Sequence, residues 1–257
     1  SQLQEVLQDQ EVKQDQVAKV IEKDIAMTAK LMQLVNSSFF GLFKKVESLE
    51  RAVKLLGLDT IRVLVLGVQI FDEMKVSPAL ISVDYLWQHS MAVAQCSKRV
   101  AIDATEDTKL VNTCFLAGLL HDIGRLLLLS KMENEYEPAV STARKQSIFL
   151  NESEYKELQT THADVGAYLM GLWGFNSDVI EAIAFHHAIN RYPATTFNAA
   201  LAVHVADAFY YKHFPDDAVG LPPVLDESYI GRLGYGDRIE EWSRICSSEL
   251  STLRKND

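Results

Sequence analysis

Cysteine is scarce in this chain. Only Cys96, Cys114 and Cys246 occur, far apart and without a C-x-x-C pair, which excludes a disulfide scaffold and a thiol redox motif. With 12 Gly and 6 Pro in 257 residues, collagen-like and low-complexity classes are excluded as well. Basic charge is short: 25 Lys and Arg stand against 35 Asp and Glu, for a formal net charge of −10. Nucleic-acid binding through bulk charge needs clustered Lys and Arg, and no basic stripe occurs, so nucleic acid is not an expected partner. Long apolar runs are missing too. Ile61 to Phe71 is interrupted by Arg62, Gly67 and Gln69, and Cys114 to Leu129 by His121, Asp122 and Arg125, whereas a membrane span needs roughly 20 predominantly apolar residues. Both stretches read as buried core elements, and no membrane partner is expected. The chain opens with no signal-peptide layout, which together with its few cysteines points to the cytoplasm. Its start at Ser1, without an initiator Met, reads as an excised fragment or a processed product, which leaves room for another domain upstream.

What the chain does have is helical periodicity. No Asn-Gly or Asp-Gly hairpin signal interrupts it, so the expected fold class is all-α. Residues 1–16 read as an amphipathic lead-in helix or linker. Val17 to Val35 carries a stripe of Val17, Ile21, Ile25, Leu31, Leu34 and Val35, ended by the polar break Asn36-Ser37-Ser38 and a turn at Gly41. Ser48 is an N-cap for a helix to Leu56, Gly57 ends it, and Asp59 is placed to cap the next helix, Thr60 to about Met74. The pair resembles a helix-turn-helix, but Ile61, Val63, Leu64, Val65, Leu66, Val68 and Ile70 leave the second helix little polar face for a groove. Val76 to Ser82 reads as the internal linker. Further helices are expected at about Asp84–Ala101, Asp107–Leu129, Tyr136–Lys145, Ser153–Trp173, Asp178–Ala188 and Thr195–Phe214, with a charged C-terminal helix near Arg238–Leu253.

Seven histidines are an ordinary number, so their meaning lies in where they sit. Leu86, His89, Val93, Cys96 and Val100 recur at spacings of three and four, the inward stripe of a helix. His121 and Asp122 lie in the middle of a segment that is apolar nearly all round. A buried carboxylate without a partner costs several kcal/mol, so Asp122 requires a cation, a metal or a set of donors. His162, Gly166, Leu169 and Trp173 share one face; Ile180, Ile183, Ala184 and His187 another, with His186 beside it; Phe197, Ala200, His204, Asp207 and Tyr211 a third. A lone inward His is more often a satisfied core residue than a ligand. Two adjacent pairs, His121-Asp122 and His186-His187, would each need separate satisfaction in one core, and a single metal centre would satisfy them together. Only His213, at a helix end, stands apart. No G-x-S-x-G, P-loop, G-x-G-x-x-G or H-E-x-x-H motif offers a competing chemistry.

The blocks VAKVIEKDIAMTAKLMQLVNSSFFG, VESLERAVKLLGLDTIRVLVL, LAGLLHDIGRLLL, THADVGAYLMGLWGF and IEAIAFHH, over roughly residues 15–212, closely resemble the HDOD domain, the HD-related output domain of bacterial signalling proteins. The resemblance implies an all-α chain with an N-terminal helical subdomain at 1–79, an HD-like helical bundle at 80–215 holding the metal site, and a C-terminal extension at 216–257. It also implies signalling proteins or an upstream sensory or receiver domain as partners. The second half is similar to the HD-GYP phosphodiesterases, which cleave cyclic di-GMP at a cluster of metals. Carried over residue by residue, that similarity implies the metal ligands His89, His121, Asp122, His162, His186, His187 and Asp207, with His204 at most a supporting group. The chain departs from the HD-GYP pattern at Arg125, where those enzymes have Lys, in AINRYP after His187, and in AFYYKHF after Asp207.

The expected function is therefore a signal-transduction output module whose His/Asp site holds one or two divalent ions, with Fe, Mn and Zn all suited to the ligand set. One alternative is a metal-dependent phosphohydrolase or phosphodiesterase acting on a phosphorylated small molecule, with Asp122 and Arg125 in the catalytic roles. The other is a metal-free helical scaffold for protein interaction.

Overall fold

The computed structural model describes residues 21–37, 40, 44–73 and 80–253. The expectations for the lead-in at 1–16, the turn at Gly41 and residues 76–79 of the linker lie outside them. The fold is all-α: among the described residues there is no strand, only one isolated parallel bridge between Phe149 and Leu221. The described chain forms two compact units, one up to Glu73 and one from residue 80 on.

The first unit contains α1 (Ile25–Val35), α2 (Leu49–Leu56) and α3 (Leu58–Glu73), each packed on the other two. The helix expected to run unbroken through residues 17–35 is interrupted at Asp24, whose extended backbone and side-chain bond from the Met27 N–H start α1 afresh. Ile25, placed on the buried stripe by spacing, is 83% exposed as a result, while Leu31, Leu34 and Val35 are buried. Ser48 caps α2 as expected, accepting from the Arg51 N–H at 3.2 Å, and Gly57, at φ 85°, closes it in a conformation that L side chains avoid. Asp59 does not cap α3, because the chain re-enters helix at Leu58, directly after Gly57. Asn36 clips the following segment in place: its Oδ1 accepts from the Val46 N–H at 2.7 Å and its Nδ2 donates to the Val46 carbonyl at 2.9 Å.

The second unit is built around α4 (Val83–Ala104) and α11 (Ala199–His213), which pack on one another. Between them in sequence come α5 (Thr108–Leu120), α6 (Ile123–Lys131), α7 (Glu133–Gln146), α8 (Leu150–Leu158), α9 (His162–Leu172) and α10 (Ser177–Phe185). Short α12 (Glu227–Arg232) and α13 (Ile239–Leu253) follow, and α13 lies against α4 and α11. Trp242, Cys246 and Leu250, four residues apart, form its buried face, and Trp242 and Arg238 both donate to Asp103 at the end of α4. Cys96 and Cys246 are both free and buried. Residues Thr108–Lys131 are long and apolar enough to cross a membrane by composition, but they run through the inside of this unit and are mostly buried.

Two helices expected as single rods are each broken in two. Asp107–Leu129 divides at His121 and Asp122, and Ser153–Trp173 divides where Gln159, at φ 57°, ends α8 and a capping box between Thr161 and Asp164 opens α9. The face expected inward on α9 does not hold to its end, because α9 stops at Leu172 and Trp173 is the residue after it. Met170 is fully buried and Trp173, assigned inward by spacing, is 37% exposed.

Candidate metal centre

Successive residues of an α-helix point about 100° apart, so two neighbours inside a helix cannot aim at one point. Both ligand-type pairs escape this by sitting at helix ends. His121 is the cap residue directly after α5 and Asp122 the residue before α6; His186 is the cap residue directly after α10 and His187 follows it in the same turn. His162 is the first residue of α9, while His89, His204 and Asp207 project from within α4 and α11. Close backbone approach completes the assembly. A Cβ on Gly124 would stand 1.9 Å from the His162 carbonyl oxygen, so only glycine lets α6 and α9 meet here.

The seven expected ligand residues converge as two groups. In the first, one ligand atom from each of Asp122, His162, His186 and His187 lies within 4.8 Å of the others; in the second, the same holds for His89, His121 and Asp207. Within the first, His187 Nε2 is 3.1 Å and Asp122 Oδ1 3.3 Å from His162 Nε2. Within the second, His89 Nε2 is 3.1 Å from His121 Nε2 and 3.4 Å from Asp207 Oδ1, and His121 Nε2 to Asp207 Oδ1 is 3.8 Å. Asp122 spans both, with Oδ2 turned toward His89 at 3.5 Å and His121 at 3.7 Å.

Outer contacts fix which ring nitrogen faces inward. His121 Nδ1 donates to the Gly118 carbonyl at 2.7 Å and His186 Nδ1 to the Ile183 carbonyl at 2.6 Å, so each presents a bare Nε2 to the centre. His162 Nδ1 donates to Glu154 Oε2 at 2.6 Å. Glu154 is wholly buried, also accepts from the His162 N–H at 2.9 Å, and takes the Tyr136 hydroxyl on Oε1 at 2.6 Å. His204 is not aimed at either group. Its Nδ1 donates to the His186 carbonyl at 2.8 Å and its Nε2 accepts from the Asp226 N–H at 3.0 Å, tying the ligand pair to the chain after α11. His213 is exposed at the end of α11.

Burial dominates the protonation of these rings. It pushes His121, His186 and His187 down, His186 to about 3, so all three are neutral near pH 7 and able to act as ligands. For His162 burial acts in the same direction, but the Glu154 carboxylate outweighs it and the ring is raised. Burial would raise Asp122; the Arg125 guanidinium leads the opposing influences and holds it well below the usual carboxylate range. Arg125 Nη1 lies 2.7 Å from Asp122 Oδ2 and 3.5 Å from the Tyr211 hydroxyl, while its Nε and Nη2 are buried without a hydrogen-bond partner. A cavity of about 150 Å³ opens onto Asp122, Arg125, His162, His187, His204 and Asp207.

The donor set fits a metal on three counts. Ligand atoms sharing one ion, at bonds of about 2.1 Å, sit roughly 3–3.5 Å apart, close to the spacings here. Buried His186 Nε2, its lone pair inward, has no hydrogen-bond partner. Neutral imidazole with carboxylate is also the ligand chemistry of Zn, Fe and Mn. Sequence reasoning missed Glu154 and Tyr136, and it placed Tyr211 on the inward face without its contact to Arg125. Glu154 follows Ser153 in a segment rich in exposed acids, and nothing in its spacing separates it from Glu152 or Glu157. The capping box Thr161-His162-Ala163-Asp164 was the one signal that would have placed the break before His162.

Comparison with known proteins bears on the family and the fold. The sequence model of the HDOD domain family matches residues 1–189. An HDOD domain protein of unknown function from Geobacter sulfurreducens superposes with a TM-score of 0.77 at 25% identity, over 99% of this chain and 87% of that one. A proposed signal transduction protein from Marinobacter aquaeolei VT8 shares the fold at a TM-score of 0.73 and 20% identity, over 98% of this chain and 58% of that one. So does a proposed phosphohydrolase from Shewanella amazonensis SB2B, at 0.65 and 20%, over 98% and 91%. An uncharacterized protein of Treponema pallidum (strain Nichols) is 26% identical over 198 residues, 74% of this chain; the matched part is 37% of that protein's length.

Proposed function

The chain belongs to the HDOD domain family, and from that membership we propose that it is an output module of bacterial signal transduction whose second unit binds one or two divalent cations. The ligands are His89, His121, Asp122, His162, His186, His187 and Asp207, and the module works in the cytoplasm with signalling proteins or an upstream sensory or receiver domain. The observation that carries this reading is the buried His186 Nε2, held lone-pair inward without a partner among converging imidazoles and carboxylates. Burying such a set with no cation leaves acceptor facing acceptor, which an ion relieves. The Geobacter relative supports the family, and the Marinobacter protein's name supports the signalling role. Elemental analysis of the purified protein, after reconstitution with Mn, Fe or Zn, tests it: stoichiometric metal that disappears in His121→Ala and Asp122→Ala is the expected result, and its absence from the unmutated protein overturns the assignment.

One observation favours a second reading, a metal-dependent phosphohydrolase. The 150 Å³ cavity is lined by Asp122, His162, His187 and Asp207 together with Arg125, whose guanidinium is a charge suited to a phosphate. A bound divalent ion there supplies Lewis acidity and a water of lowered pKa. In this reading Asp122 would hold the ion and Arg125 would neutralise substrate phosphate, and the name of the Shewanella protein favours a phosphohydrolase. Turnover of phosphomonoesters, nucleotides or cyclic dinucleotides above an Asp122→Ala control is its expected signature; no turnover with any of them leaves the module reading standing.

A further inference from the structure

The two ligand groups are built unequally. The first offers four ligand atoms and has a buried anion behind one of them: Glu154 takes both the Nδ1–H and the backbone N–H of His162 on the same oxygen. The second offers three, and the Asp122 oxygen that faces it, Oδ2, is already held by Arg125 Nη1 at 2.7 Å. A carboxylate behind a ligating imidazole fixes its tautomer and raises its basicity, and adds negative charge toward the ion. A guanidinium at the rim does the reverse, since it neutralises the shared carboxylate and repels an incoming cation. Resting on the metal-binding reading above, we propose that the centre loads in order: the first ion enters the Asp122, His162, His186 and His187 group, with Glu154 as its positioning residue, and Arg125 keeps the second group weak.

Glu154→Gln preserves shape and the contact to Tyr136, because the amide can accept from His162 on its oxygen and meet the Tyr136 hydroxyl with its nitrogen. The experiment titrates metal-stripped protein with Co(II), following both heat and visible absorption, with thermal unfolding run to establish that each variant folds. In the unmutated protein the first equivalent should bind at least about tenfold tighter than the second. Glu154→Gln should weaken that first equivalent by about 10–100-fold and alter its visible spectrum, which a merely structural role would leave alone. Asp207→Asn should leave the one-equivalent spectrum unchanged and weaken only the second ion, whereas Arg125→Met should tighten the second. Two ions of equal affinity, or a first ion indifferent to Glu154→Gln, overturn the ordered loading while leaving metal binding intact. No Co(II) binding at all overturns the metal-binding reading and this inference with it.

Discussion

Both units fold as helices around a closed interior, but they enclose different chemistry. The first encloses Leu31, Leu49, Ile61, Leu64 and Val65, with Thr60 the one buried polar residue among its described positions. The second surrounds His89, His121, Asp122, Arg125, Glu154, His162, His186, His204 and Asp207 with its apolar shell. An apolar core is stable because apolar surface leaves water, whereas a buried charge cluster returns little net stability and makes its members depend on one another. The difference teaches that the second unit carries a polar interior whose cost in stability the first does not bear. All three Trp, at 87, 173 and 242, lie in the second unit, so Trp fluorescence follows it alone while circular dichroism follows both.

The largest effect is expected from Asp122→Ala. It removes the carboxylate shared by both ligand groups and leaves Arg125 a buried, unpaired charge, which costs roughly 3–5 kcal/mol in such pairs. Denaturant unfolding read by Trp fluorescence should show that loss together with loss of bound metal. Leu64→Ala, at roughly 2–5 kcal/mol for a core leucine, should destabilise the first unit with metal content unchanged. If it strips the metal too, the two interiors are not independent.

Acid should separate the units next. His121, His186, His187 and His204 all sit below their ordinary 6.5 in the folded unit, His186 at about 3, because burial disfavours the charged ring. Below pH 6.5 the unfolded chain takes up protons that these folded rings refuse. Their contribution is therefore complete above that value and is lost as pH falls toward the folded ones. Depressed Asp122 and Asp207 add to the loss below 3.8. His162, raised by Glu154, works oppositely, holding stability below 6.5 and losing it as pH rises through its folded value. The first unit contains no histidine. Chelator-treated protein should thus lose its Trp-detected transition between about pH 6.5 and 4 while the rest of the dichroism signal changes little, and saturating metal should move that loss to lower pH. One shared transition at every pH would break the comparison.

Gly124→Ala comes third. Its methyl would collide with the His162 carbonyl, and overpacking of that kind costs roughly 1–3 kcal/mol. Because the strain separates α6 from α9, metal affinity measured by titration should fall along with the Trp transition. The smallest effect belongs to the first unit: Asn36→Ala removes the clip to Val46, about 1–2 kcal/mol for its hydrogen bonds, and should leave both the Trp transition and the metal content unchanged.

Much of this was legible in the chain. The three-four spacing around His89 placed it inward on α4, the all-round apolar surroundings of Asp122 demanded a partner, and the adjacent pairs pointed to a common centre. The interruption at His121 and Asp122 was not legible, since no Gly or Pro stands between Leu120 and Asp122 and the pattern continues through them, whereas the one before His162 carried a signal in its capping box. The break at His121 and Asp122 answers to convergence, because neighbouring side chains cannot share a target inside a helix. Trp173 was misplaced because α9 ends at Leu172, one residue short of the position its spacing assigned inward.

By itself the sequence determined the all-α class, the apolar stripes and the inward position of most of its histidines, because each of these is a property of local spacing. Only the tertiary structure decided that the set divides into a group of four and a group of three, that Asp122 faces both, and that Glu154 stands behind one group and Arg125 beside the other. Those relations join residues from α4 to α11, and distances across that much chain are set by how helices pack, which no local pattern encodes.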